Sequence, residues 1–271
     1  MLEKQMASAD IVTRMALSPF FMESFYIMAN WSDPRSTAAP RATRVGVADA
    51  AYDAGLRSYM LSIYNYMASA VLLTGIVAML FANSGLAEPI LRGPGLLKYV
   101  IMLAPLGFIM VLSFGINRLS TASAQALFWA FAAVMGLSMS SIFLVYTGAS
   151  VAQTFFATAA AFAGLSLFGY TTKKDLSAFG TFLIMGVVGL LVAMVINMFL
   201  RSPVMNLVIS FIGVLLFAGL TAYDTQKIKS LYFHVAGSDM VGKTVIMGAL
   251  TLYLDFVNMF TFLLQFMGDR R

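Results

Sequence analysis

The 271-residue chain has no cysteine and a single histidine, His234. It can therefore build neither a disulfide framework nor a thiolate metal site, and one histidine makes no His-rich metal centre. Charge is scarce too: 11% of residues are Asp, Glu, Lys or Arg against 60% hydrophobic, with a mean hydropathy of +0.86. A soluble protein of this length does not have that composition, whereas a polytopic α-helical membrane protein does. The net charge of +5 would suit nucleic acid, but the basic residues are scattered between apolar runs and form no patch, so no nucleic-acid partner is expected.

What the chain does have begins with a polar front. Residues 1–58 hold 6 of the 12 acidic residues and no run long enough to span a bilayer. Pro19 and Glu23 interrupt the partly apolar Met15–Asn30 stretch, and no small-residue cleavage site follows it; no signal peptide is expected. Trp31–Val45 is rich in Pro, Ser, Ala and Arg. Residues 1–55 are accordingly expected to be a largely disordered cytoplasmic tail, ahead of a membrane domain at 56–271. Met28 reads as an alternative initiator, with residues 1–27 an upstream extension.

Seven apolar runs follow at short intervals, near 59–82, 99–117, 122–146, 151–170, 179–200, 204–232 and 241–267. Each approaches the ~20 residues that a bilayer requires, and short links make consecutive helices antiparallel neighbours. The expected fold is all-α, a polytopic bundle of seven transmembrane helices. With the N-terminus cytoplasmic, the inner side holds 12 of the 17 basic residues: Lys4, Arg14, Arg35, Arg41, Arg44, Arg57, Arg118, Lys173, Lys174, Lys227, Lys229 and Lys243. The positive-inside rule then selects N-in and C-out.

Two acids stand out in these runs: Asp224 in G-L-T-A-Y-D-T-Q-K-I-K and Asp255 in L-T-L-Y-L-D-F-V-N-M-F. Carboxylates are costly inside a membrane and mark functional positions there. The midpoint between them falls inside Ala236-Gly-Ser-Asp-Met240, so a helical hairpin turning at Gly237–Asp239 brings them to one level, roughly 15 Å from the turn. Thr244, Gly248, Thr251, Asp255, Asn258 and Gln265 recur at steps of three, four or seven and form one polar stripe. Lipid offers that stripe no hydrogen-bond partners, which places the last helix at the centre of the bundle. Thr221 lies one turn before Asp224. Two facing polar stripes suggest a cation or proton pathway lined by Thr221, Thr251 and Asn258. Two neighbouring carboxyls titrate as a unit, and carboxylate oxygens are also preferred Ca²⁺ ligands, so proton and Ca²⁺ compete for the pair. The bland alternative is an Asp224 solvated at the cytoplasmic end and an Asp255 bonded to Asn258 or a hydroxyl.

Small residues point to close helix packing. Gly186, Gly189, Ala193 and Asn197 share a face of the fifth run, and Gly136 and Ser140 share one of the third. The serines near Gly136 are expected to bond to their own helix backbone. Intramembrane aspartyl proteases also place two aspartates on consecutive helices, but their second motif is G-x-G-D. Here Leu252, Tyr253 and Leu254 precede Asp255, without the glycines that open the backbone to a substrate. No catalytic residue and no enzyme activity are expected.

The two aspartate motifs, with L-R-S-Y-M before the first span, V-M-G-L-S-M-S-S-I-F in the third and G-Y-T-T-K-K-D-L-S after the fourth, resemble the transmembrane Bax inhibitor-1 motif family in its bacterial form. The resemblance covers roughly Leu56–Gly268. It implies a seven-helix bundle of the inner membrane with the last helix central, and a pH-sensitive Ca²⁺ leak governed by Asp224 and Asp255. It also implies a latch from an arginine at the cytoplasmic end of the second helix, which maps to Arg118 in G-I-N-R-L-S. Beyond lipid, Ca²⁺ and protons, it implies as an alternative a non-conducting regulator that partners a membrane-anchored ATP-dependent protease. The link between the aspartates is longer than in the smallest bacterial relatives, and the tail of about 50 residues lies outside the family domain.

Overall fold

The computed structural model describes residues 47–271 apart from Pro94. The expected tail up to residue 46, with its basic residues and the alternative start at Met28, lies outside the described residues. Every described crossing is helical. Helix α1 spans Val47–Asn83, so the chain is already helical ahead of Leu56; a short α2 (Ala87–Arg92) leads to α3 (Leu97–Gly115). The third crossing is α4 (Thr121–Met139) continued by α5 (Ser141–Val145). Then come α6 (Gly148–Thr171), α7 (Ser177–Leu200), α8 (Pro203–Val235) and α9 (Val241–Met267). Seven of these helical stretches are long and apolar enough to cross a membrane, at the positions expected from the runs.

Polar caps end the helices where the apolar runs end. Ser120, Thr147 and Ser202 each accept from the backbone N–H three residues on, at the starts of α4, α6 and α8, which satisfies a donor with no partner inside the helix. Pro203 suits the first turn of α8, where its missing N–H costs nothing. The α8–α9 hairpin turns at Gly237, whose φ of +77° is open to glycine without strain.

The last helix is the core. Of its most apolar 18-residue window 78% is buried, against 11–39% in the other six crossings. It packs on α1, α4, α6 and α8, while α3 lies outside against α4 and α7 outside against α8. Four crossings therefore line α9, with α3 and α7 in an outer layer. Tyr253, fully buried on α9, receives the ring of Phe131 edge-on at 5.2 Å and shares a 2.7 Å hydrogen bond with Thr74 Oγ1. Thr74 also reaches the carbonyl of Ala132 at 2.8 Å, so one polar link ties α1, α4 and α9 where water cannot.

Backbone contacts are closest where glycines allow them. A side chain at Gly136 would meet the Thr74 carbonyl and Val77, and one at Gly169 the Ala222 carbonyl. As expected, Ser140 and Ser141 donate to their own helix, at Leu137 and Ser138. The fifth crossing departs from its expected face. Gly180, Leu183, Val187 and Leu190 are its buried residues, and nothing lies within 4 Å of a Cβ at Gly189. Larger apolar residues pack on α8, and part of the small-residue stripe is left outside.

Candidate functional site

The site forms where α8 and α9 lie side by side. Gly213 admits the ring of Phe262, and Phe217 stacks on that ring at 5.8 Å. This contact sets the register of the two helices, and the carboxyl groups of Asp224 and Asp255 meet in hydrogen-bonding contact. Asp255 is 4% exposed and Asp224 half-buried. A hydrogen bond between two carboxyl groups is made by one proton held between them. The second oxygen of Asp255, Oδ2, is buried with no hydrogen-bond partner among the described residues, an arrangement rare enough in buried polar groups to call for a reason.

The surrounding polar side chains bond largely to their own helices. Thr221 Oγ1 donates to Phe217, Thr251 Oγ1 to Met247 and Asn258 Nδ2 to Leu254, at 2.8, 3.1 and 2.9 Å. A hydroxyl that gives its proton to a carbonyl keeps lone pairs for another donor or a cation. Along α9, Thr251, Leu254, Asn258, Thr261 and Gln265 are half-exposed at steps of three and four, and every other residue from Thr244 to Phe262 is buried. Toward the hairpin end this seam closes: Thr244 is buried, and Ile63 and Ile228 pack over Gly248.

Arg118 is exposed in the turn after α3, its backbone N–H bonded to Gly115, and the cation that acts on Asp224 is Lys227. Lys227 stands three residues after Asp224, one helical turn along, with its Nζ 5.9 Å from the ring centre of Tyr223. The i,i+3 spacing in D-T-Q-K is visible in the sequence, where scattered lysines read only as topology signals.

The rest of this motif lashes the neighbouring helices to α8. Gln226 accepts from the Leu176 N–H at 2.9 Å and donates to the Lys174 carbonyl at 2.8 Å. Lys229 donates to the Tyr170 carbonyl at 2.8 Å and lies 4.7 Å over that residue's ring, holding a carbonyl at the end of α6. Ser166 and Thr225 meet at 3.1 Å, and the ring of Tyr223 covers Gly180. The segments G-Y-T-T-K-K-D-L-S and Y-D-T-Q-K-I-K are thus contact partners.

Among the described residues no group of three or more His, Cys, Asp or Glu could hold a metal ion. Two carboxyls supply at most four of the six to eight oxygens that Ca²⁺ takes. They do not fit a closed all-protein cage.

Similarity agrees with this architecture. The family described as "Inhibitor of apoptosis-promoting Bax1" matches residues 56–271; that description names an inhibitor, not a catalyst. The inner membrane protein YbhL of Escherichia coli is 44% identical over 220 residues, 80% of this chain and 94% of that protein. A protein of Rickettsia prowazekii is 46% identical over 81% of this chain and 93% of its own length. One of Borreliella burgdorferi is 35% identical over 79% and 92%. The chain is, like its E. coli relative, a polytopic inner-membrane protein. With a family match through all seven crossings and relatives covered almost end to end, it belongs to the Bax inhibitor-1 family.

Proposed function

We propose that the protein is a pH-sensitive Ca²⁺ leak of the inner membrane, with the Asp224–Asp255 pair as its ion- and proton-sensing site. The observation that carries this reading is the meeting of two carboxyls between the last two helices, with Asp255 Oδ2 buried and unpartnered. A membrane interior tolerates such a pair where it serves an ion or proton path. In the arrangement described, a proton joins the carboxyls and Lys227 supplies a neighbouring positive charge. Ca²⁺ binding removes that proton and competes with Lys227. The half-exposed seam from Thr251 to Gln265 is the approach from the C-terminal end, and Ile63 with Ile228 over Gly248 is an apolar closure toward the hairpin end. Apolar constrictions of this kind gate by excluding water. Arg118 serves as a latch only in a conformation where the end of α3 moves toward the pair.

The test is Ca²⁺ flux into proteoliposomes of the purified protein. Flux in the unaltered chain, lost in Asp224→Asn, supports conduction through the pair. No flux above empty liposomes overturns it and leaves a non-conducting regulator, such as a partner of a membrane-anchored ATP-dependent protease. Flux that survives Asp224→Asn unchanged moves the path elsewhere.

A further inference from the structure

At the far end of the bundle from the α8–α9 hairpin, a cavity of about 430 Å³ opens beside the α7–α8 turn and the end of α9. Its polar wall is made by Asn197, Arg201, Ser202, Asn206, Gln265 and Arg270, and none of its eight lining residues is acidic. Neither guanidinium forms an ion pair among the described residues. Two exposed arginines lining one polar cavity with no acidic residue give it a positive field that attracts an anion.

Both arginines are held there by the backbone. Arg201 ends α7 in a left-handed conformation, φ 49° and ψ 34°, with its N–H on the Asn197 carbonyl at 2.7 Å. Arg270 pairs antiparallel with Tyr146, flanked by bonds from Thr147 N–H to Asp269 and from Arg271 N–H to Val145, and lies 5.9 Å from the Tyr146 ring. The Asn197 Oδ1 accepts the Ser202 N–H at 3.0 Å, so that amide offers the cavity its NH₂ donors and not its carbonyl. The positive end of the α8 dipole adds to the same sign.

We infer that this cavity binds the phosphodiester of an anionic phospholipid in the leaflet at the C-terminal end of the bundle. Guanidinium forks and amide donors match phosphate oxygens. The lipid source, as opposed to free phosphate, follows from the surroundings. Leu200, Val204 and Leu207 beside the cavity are 63%, 72% and 53% exposed, an apolar collar suited to acyl chains just below a head group. This inference does not rest on the aspartate pair.

Native mass spectrometry of the purified full chain, titrated with phosphatidylglycerol, phosphatidylcholine or inorganic phosphate, tests it. One phosphatidylglycerol should be retained at least about tenfold more tightly than phosphatidylcholine, a preference worth roughly one decade in affinity. The double variant Arg201→Gln/Arg270→Gln should lose that preference. Arg92→Gln, which removes one charge from the same end outside the cavity, as Arg270→Gln alone does inside it, should keep it. If the double variant fails to fold, Arg270→Gln alone carries the test, since backbone bonds hold that segment. Equal retention of the two lipids, or a preference that survives the arginine variants, overturns the inference. Displacement of the lipid by inorganic phosphate at equal concentration overturns the lipid source.

Discussion

Asp224 and Asp255 show how far a residue's neighbourhood departs from its motif. Their common level followed from the hairpin midpoint, but the single unpartnered oxygen on Asp255 and the choice of Lys227 over Arg118 depend on rotamers and helix rotation. If proton and Ca²⁺ compete for the pair, Ca²⁺ affinity falls as pH falls, by up to about tenfold per pH unit when one proton is displaced per ion. The sign is set by charge: a proton removes negative charge that the cation needs. Asp255→Asn keeps size and hydrogen bonding without titrating. Ca²⁺ binding measured across about pH 5 to 8 should slope in the unaltered chain and be weak and flat in this variant. An unaltered chain with pH-independent affinity would refute the competition.

At the scale of helices, glycines separate contact faces from lipid faces, and sequence spacing alone does not tell which is which. Gly169 abuts the Ala222 carbonyl of α8, whereas Gly189 has open space around it. Gly169→Ala must push two helix backbones apart and should cost about 1–3 kcal/mol, as overpacking does. Gly189→Ala should stay within about 0.5 kcal/mol of the unaltered chain. Thermal unfolding in detergent reads both, and equal midpoints for the two variants would show that the α6–α8 contact is looser than described. The stripe of Gly186, Gly189 and Ala193 was legible as a pattern. Its burial was not, because in lipid a small residue can equally face acyl chains; packing put Gly186 against Leu216 of α8 and left Gly189 in open space.

For the whole molecule, the described contacts sort the loops by end. Lys243 reaches the Asn117 carbonyl near the α3–α4 turn, and Tyr232 packs on Tyr59, at the hairpin end. Arg92 reaches the Leu144 carbonyl and Arg270 pairs with Tyr146 at the other. The two ends of the last helix therefore lie at opposite ends of the bundle. Because the chain has no cysteine of its own, Ser238→Cys in the hairpin turn and Ser84→Cys after α1 give single reporters. A membrane-impermeant maleimide applied to intact cells with a permeabilised outer membrane should label Ser84→Cys and spare Ser238→Cys. The opposite pattern would reverse the orientation, and labelling of both would break the seven-crossing arrangement.

Composition and run length determined by themselves that this is an α-helical membrane bundle of seven crossings, since a bilayer leaves a chain this apolar few other ways to satisfy its backbone. The polar stripe determined that the last helix lies inside, and the hairpin midpoint that the two acids share a depth. Only the tertiary structure decided which four crossings surround α9, which cation attends Asp224, and which distant arginines, Arg201 and Arg270, share one cavity. Those outcomes depend on helix rotation and on side chains from segments far apart in the chain. Periodicity reports the face that must be buried, and packing chooses what buries it.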